Sequence, residues 1–203
     1  MKNVLITGAC GGMGKATARL FKEQGYRVLA LDKKSDLSEE GITCIPTDVT
    51  SEESVKNAFS EVNGITDSLD AIIHFAGIYD LFSLVEADTE VFDRILGINL
   101  RGAFLVNKTF LPLLKKNSRV LIITSELAPL DPLPFTGIYA VTKAALDKYA
   151  YALAMELQLL GIRVSVLRAG AVKTDMLGAS TTALDRFCET PDFTPVTQKD
   201  LKA

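Results

Sequence analysis

The chain alternates short apolar runs with longer segments of mixed polarity. Residues 4–7, 27–31, 43–46, 71–75, 119–124 and 163–167 are short runs rich in Val, Ile and Leu. Several are nearly apolar throughout, as strands covered on both faces require, and all six are predicted to be β-strands. Between them, helical segments are predicted over 13–24, 52–62, 90–116 and 139–160, the third broken near Gly97. Gly25 and Gly161 stand where C-terminal caps are expected, and Ser51, with Ser54 nearby, stands where a helix begins.

Strand, helix and strand in repetition imply parallel strands joined by right-handed crossovers. The predicted fold is therefore α/β: a Rossmann-type, doubly wound parallel sheet with helices on both faces, in three layers. Ligands of such sheets lie beyond the carboxyl ends of the strands. Residues directly after each strand are then the functional candidates, whatever motif they belong to. Two segments depart from the pattern. Residues 32–42 are short for a crossover that contains a helix, leaving room for a turn or two around 37–40. After Met176 the chain is short and rich in Thr and Pro, with no clear further strand.

Composition narrows the class. A length of 203 residues suits one domain of roughly 100–200 residues. We expect a single domain over 1–203, with 177–203 a short tail able to form a lid. The 48% hydrophobic and 23% charged content supports a packed core rather than disorder. A net charge of -3 leaves no basic excess to neutralise phosphates, which argues against a nucleic-acid partner. No apolar stretch is long enough to span a bilayer, so no membrane association is expected. Cys10, Cys44 and Cys188 are far apart in sequence and form no metal-like pair, so neither a metal site nor a disulfide framework is expected. Such cysteine usage suits a reducing, cytoplasmic location.

The first strand runs into Thr7-Gly8-Ala9-Cys10-Gly11-Gly12-Met13-Gly14 and then a helix. Glycines let the backbone turn sharply and approach a pyrophosphate, and the helix N-terminus offers free N–H groups and partial positive charge. Asp32 follows the second strand, where an adenosine ribose would lie. A carboxylate there accepts bonds from ribose hydroxyls and repels a 2′-phosphate, which favours NAD over NADP. The adjacent Lys33 and Lys34 act against that preference, so NADP is not excluded.

Tyr139 and Lys143 are four apart at a helix start and share one face. An ammonium beside a phenol is expected to lower the phenol pKa from about 10 and make it a general acid and base. Ser125 lies just past the fifth strand, placed to hold a carbonyl or alcohol oxygen.

With these motifs in order, the chain resembles the short-chain dehydrogenase/reductase family. Gly8, Gly12 and Gly14 match its cofactor motif, with Cys10, Gly11 and Met13 in the same loop. Asp48-Val49 resembles its adenine-contacting pair, and Ala76-Gly77 the end of its Asn-Asn-Ala-Gly motif. Asn99, Ser125, Tyr139 and Lys143 match its catalytic four. Val172-Lys173-Thr174 resembles the segment that holds the nicotinamide carboxamide. The resemblance implies that a nicotinamide cofactor exchanges hydride with an alcohol or carbonyl while Tyr139 moves the proton. It also implies that Ser125 orients the oxygen, that Lys143 tunes Tyr139 and binds the nicotinamide ribose, and that Asn99 holds a water beside Lys143. A homo-oligomer, most simply a dimer through the helices over 99–116 and 139–160, is expected, with Tyr149, Tyr151, Leu153 and Met155 contributing apolar surface.

Several positions depart from the family. His74-Phe75 replaces two asparagines, and Phe75 cannot tie neighbouring strands through its side chain. His74, the only histidine, reads as a strand-end or core residue. Arg168-Ala169-Gly170 replaces Asn-Pro-Gly and frees the backbone there. Glu126, with Pro129, Pro132 and Pro134 after it, suggests a stiff wall on the substrate side. Family members usually continue with a covering helix and a seventh strand. Here only the tail follows, with Leu184 and Phe187 on a small lid helix over 177–187, and the sixth strand is expected to be an exposed edge. A non-catalytic dinucleotide-binding sensor or scaffold is the alternative reading. An epimerase or dehydratase on the same fold would need a larger C-terminal substrate region.

Overall fold

The computed structural model describes residues 1–37, 39–174 and 176. In chain order the elements are β1 (Asn3–Thr7), α1 (Gly12–Glu23), β2 (Arg27–Asp32), β3 (Ile42–Pro46), α2 (Glu52–Ile65) and β4 (Leu69–His74). There follow α3 (Thr89–Leu96), a π-helical turn (Gly97–Arg101), α4 (Gly102–Phe110), β5 (Leu114–Ser125), α5 (Gly137–Leu157) and β6 (Arg163–Ala169). All strand pairs are parallel, in the order β3-β2-β1-β4-β5-β6. The order reverses between β1 and β4, which opens a crevice beyond their carboxyl ends.

Register sorts the side chains to two faces. Leu5 lies beside Leu29 and Ile72, and these point into one core with Val55, Ala58 and Val62 of α2, Phe110 of α4, and Leu146 and Ala150 of α5. Val4 and Ile6, one residue out of phase, join Val28, Ala30 and Ala18 of α1 on the other face. The strands read as continuous apolar runs because both faces are covered. Each fully buried Leu, Val or Phe contributes about 1.5–3 kcal/mol through removal from water. Cover does not extend fully to the far edge on either face: the consecutive Val166 and Leu167 of β6 are both exposed, and among the described residues β6 pairs only with β5.

The predicted caps are present. Ser51 Oγ accepts from Ser54 N at the start of α2 (3.2 Å), and Gly25 and Gly161 hold φ of 78° and 70° where helices end. The connection between β2 and β3 contains no helical turn among its described residues. Leu37 instead plugs it into the α1-side core.

The third helix differs most from expectation. The interruption expected near Gly97 is present as the π-turn, but the helix ends at Phe110 rather than continuing to residue 116. A short 3-10 turn, Leu111–Leu113, follows, and the strand begins at Leu114. Pro112 accounts for the stop, since it has no N–H to extend the helical ladder. The first part of β5 is irregular. Asn117 has φ 75°, and Ser118 Oγ accepts from Lys115 N (2.9 Å) and donates to Leu69 O (2.7 Å). The expected lid over 177–187 lies outside the described residues.

Candidate active site

The glycine loop leaves β1 through Gly8, whose φ is +67°. A Cβ at Gly8 would lie 2.6 Å from Ala76 N, so the loop and the segment after β4 touch only because this residue has no side chain. A Cβ at Gly12 would meet Thr174 Cγ2 at 2.7 Å, which places the chain after β6 directly over the loop. No side chain caps the start of α1 and its first turn holds no acidic residue, so its leading N–H groups face the crevice end of the sheet. Phe75, in place of asparagine, ties to β1 through its backbone: Phe75 N donates to Thr7 O (3.0 Å) and Ala76 N to Thr7 Oγ1 (3.3 Å).

Asp32 closes β2 with both carboxylate oxygens engaged. Oδ2 accepts from Cys10 N (2.9 Å) and Oδ1 from Lys34 N (3.1 Å), so this carboxylate braces the glycine loop. The side chain of Asp48 is spoken for by Lys33 Nζ (2.8 Å) and by the N–H and hydroxyl of Thr50. Burial pushes this carboxyl up, but the bonds from Lys33 and Thr50 outweigh it and hold it at about 2. Val49 is buried beneath Gly102, where any Cβ would collide with its side chain, so the Val49 side chain serves the packing of α4.

One contact was invisible in the linear spacing. Cys10 Sγ and Cys44 Sγ both donate to Lys34 O, at 3.3 and 3.8 Å. Burial, the hydrogen bond with Asp36 and the charge of Asp32 push the Cys10 thiol up to about 12, so it stays a thiol.

Asn99 sits in the π-turn and is 1% exposed. Its Oδ1 accepts from Ile78 N (2.8 Å), and its Nδ2 donates to Ile78 O (3.0 Å) and Thr142 Oγ1 (3.0 Å). One side chain thus pins the segment after β4 to α5. Single π-turns inside α-helices recur where a side chain must be re-aimed.

Ser125 at the end of β5 and Tyr139 and Lys143 in the first turns of α5 line one cavity of about 230 Å³. Lys143 Nζ lies 5.6 Å from the Tyr139 ring centroid and donates to Ile123 O (3.3 Å). Gly77 faces both Asn99 Oδ1 and Lys143 Nζ. Tyr79 meets Tyr139 at right angles, with centroids 4.6 Å apart, and Leu81 and Phe135 pack beside it. Phe135 holds φ 65° just before α5, an unusual conformation for an aromatic residue that sets the entry into the helix. Glu126, Leu127, Gly170, Val172 and Thr174 complete the wall, and Met13 carries the cavity back to the glycine loop.

The protonation balance differs from what the Tyr–Lys spacing suggests. Burial raises the Tyr139 pKa above its ordinary value, and the hydrogen bond with Ser125 only partly opposes this. Burial also pulls Lys143 down to about 8, against the attraction of Asp147. The expected lowering of the phenol is reversed because desolvation acts on both groups at once.

His74 is buried and bonded through Nε2 to Asn107 Oδ1 (2.9 Å), and Asn107 Nδ2 donates to Tyr149 Oη (3.1 Å). It is a core residue of β4, as its position suggests. Tyr149 and Leu153 pack against the core, whereas Tyr151 and Met155 are exposed. Among the described residues, no group of three His, Cys, Asp or Glu side chains is arranged to hold a metal, and no helix is long and apolar enough to cross a membrane.

Comparison with known proteins places this architecture. A family model described as short chain dehydrogenase matches residues 2–185. Estradiol 17-beta-dehydrogenase 2 of Mus musculus is 33% identical over 190 residues, covering 88% of this chain and 50% of that protein. The NADPH-dependent 1-acyldihydroxyacetone phosphate reductase of Schizosaccharomyces pombe is 32% identical over 179 residues, covering 85% of this chain and 60% of that protein. The chain thus spans only about half to three-fifths of these two relatives. Among solved structures, a 3-ketoacyl-(acyl-carrier-protein) reductase from Brucella melitensis complexed with NADH superposes with a TM-score of 0.82 at 26% identity, covering 92% of this chain and 82% of that one. BdcA in complex with NADPH superposes with a TM-score of 0.79 at 28% identity, covering 86% and 72%. With the sheet order, the glycine loop and the family match in agreement, this chain belongs to the short chain dehydrogenase family.

Proposed function

We propose that the chain is an NAD(P)-dependent oxidoreductase that interconverts an alcohol and a carbonyl compound, with Tyr139 as general acid and base. The observation that carries this reading is the convergence of Ser125, Tyr139 and Lys143 on one cavity that runs back to the glycine loop. The residues present fit a dinucleotide. Gly8, Gly12 and Gly14 stand where a Cβ would collide with Ala76, Thr174 and the Gly8 carbonyl, so the loop can wind tightly over the start of α1, and that uncapped start suits a pyrophosphate. Gly8, Cys10, Gly11, Gly12, Met13 and Gly14 would hold the phosphates, Asp32 the adenosine ribose, and Asp48 and Val49 the adenine side. Ala76, Gly77, Tyr139, Lys143, Val172 and Thr174 would hold the nicotinamide half.

The bound cofactor would supply or accept the hydride. Ser125 Oγ orients the substrate oxygen. In reduction, Tyr139 donates its phenolic proton to that oxygen. Its raised pKa keeps the phenol protonated at neutral pH, the form this step needs. In oxidation, Tyr139 must take the proton, and the Lys143 ammonium stabilises the phenolate that precedes this. Asn99 positions Ile78 and Thr142 around Lys143. We infer NAD as the preferred cofactor because Asp32 closes β2, and a carboxylate there would repel a 2′-phosphate. The exposed apolar side chains of Phe104, Tyr151 and Met155 support association with a second copy through α4 and α5.

The test follows NADH absorbance against a panel of carbonyls and alcohols, with NADPH alongside. Wild-type protein turns over with NADH, and Tyr139→Phe loses about 10²- to 10⁴-fold while still binding the dinucleotide. Turnover retained by Tyr139→Phe would overturn the role of the phenol, and a clear preference for NADPH would overturn that of Asp32. Dinucleotide binding without turnover on any substrate would favour a sensor or scaffold.

A further inference from the structure

Lys143 has an opposite charge one helical turn away. Asp147 lies four residues on, on the same face of α5. It is held from outside the helix by Arg168, the residue that replaces the family's asparagine near the end of β6. Both Arg168 Nε (2.7 Å) and Nη2 (2.6 Å) converge on the single oxygen Oδ2 of Asp147. The other oxygen, Oδ1, is buried and has no hydrogen-bond partner among the described residues. A buried carboxylate oxygen without a bonded proton is costly, and a neighbouring positive charge offsets that cost.

We propose that Asp147 is a positioning residue for Lys143, and that Arg168 sets how much of the Asp147 charge Lys143 feels. The proposal rests on the function proposed above, in which Lys143 acts as an ammonium. Asp147, which is not among the residues lining the cavity, supports that charge from one helical turn away. Arg168 fixes the carboxylate's orientation by claiming Oδ2, and its positive charge partly offsets the anion. Because Arg168 lies directly before Ala169, where this segment's part of the cavity wall begins, the same ion pair joins the end of β6 to the helix that carries Tyr139 and Lys143.

Among the described residues, the charged and titratable groups around Lys143 are few. Tyr139 and Asp147 belong to α5, and Arg168 reaches Asp147 from β6. Tyr79 lies against Tyr139 from the segment after β4, and Glu126 stands at the cavity wall after β5. Ser125 on β5 and Asn99 in the π-turn are neutral. Asp147 is the group that opposes the effect of burial on the ammonium.

A simple strut and a charge relay predict different outcomes. If the ion pair only braces β6 against α5, removing either partner loosens the same joint and affects Lys143 in the same way. If Asp147 acts on Lys143 and Arg168 attenuates it, the two removals act in opposite directions. The experiment is an NMR titration of the Lys143 side chain in the full chain, without dinucleotide, for wild type, Asp147→Asn, Asp147→Glu and Arg168→Gln. We expect the Lys143 midpoint to fall by roughly half a unit to one unit in Asp147→Asn, to rise in Arg168→Gln, and to return toward wild type in Asp147→Glu. Where carbonyl reduction is measurable, the alkaline limb of the pH–rate profile moves the same way. Midpoints that move together in Asp147→Asn and Arg168→Gln, or that stay in place in both, would overturn the proposal. Should Asp147→Asn fail to fold, Arg168→Gln decides alone, since Arg168 is half exposed and a midpoint that falls or stays in place overturns the proposal. The titration needs no turnover, so a protein inert toward every carbonyl would refute the proposed function and leave this result standing by itself.

Discussion

Asn99 Nδ2 donates to Thr142 Oγ1 at 3.0 Å, joining the π-turn to α5 across 43 positions of sequence. Thr142 Oγ1 in turn donates to Tyr139 O (2.8 Å), so the bond ends on the backbone of the candidate general acid. The same Asn99 side chain holds Ile78 at both its N–H and its carbonyl. Asn99 thereby sets the distance between two walls of the cavity.

Asn99→Ala should cost on the order of 3 kcal/mol, from three lost hydrogen bonds at about 1 kcal/mol each. Urea denaturation measures this as a lower midpoint. The dinucleotide-binding curve should weaken as well, because Ile78 and Gly77 are no longer held beside Lys143. An unchanged midpoint would mean that the π-turn is kept by its own backbone.

Gly8→Ala should destabilise the chain and abolish dinucleotide binding. The left-handed backbone alone costs an alanine about 1–2 kcal/mol, and the collision with Ala76 N adds to it. Gly64 in α2 provides the contrast, since a Cβ there meets nothing within 4 Å. Gly64→Ala should stabilise by roughly 0.5–1 kcal/mol and leave cofactor binding unchanged. Denaturation and a dinucleotide titration on both variants separate loop geometry from general glycine effects.

His74 should make the protein acid-sensitive. Burial lowers its pKa to about 4, against the Asn107 hydrogen bond, while the unfolded chain titrates near the ordinary value of 6.5. Asn107 Nδ2 donates to Tyr149, so Asn107 Oδ1 accepts and the neutral ring carries its proton on Nε2. The unfolded state then binds more protons than the folded state between these values. The stability is fully present above pH 6.5 and is lost as pH falls toward 4, by on the order of 3 kcal/mol. His74→Asn should flatten the pH dependence of stability in that window, as measured by denaturation at a series of pH values. An equally steep loss in the variant would assign the acid sensitivity to other groups.

The fold was largely legible in the sequence because its signals are local. A strand buried on both faces must be apolar along its length, and a tight turn over a helix N-terminus requires glycine. The six strands and the glycine loop therefore stand out without any tertiary information. The end of α4 was also written in the chain, at Pro112, although the predicted helical segment ran on to residue 116. The start of β5 at Leu114 was not legible, since its pairing depends on Ser118 reaching Leu69.

For the candidate site, the sequence determined which residue types stand after each strand and that Tyr139 and Lys143 share a helical face. These follow from the period of a strand and of a helix, which are properties of the backbone itself. Only the tertiary structure decided that Arg168 grips Asp147, that Cys10 and Cys44 meet at one carbonyl, and that Asn99 is aimed by a π-turn. It also decided the direction in which Tyr139 and Lys143 shift. Such pairings depend on sheet register and helix packing, where many weak contacts act together. A pKa depends on how completely the folded chain excludes water, which no spacing along the chain records.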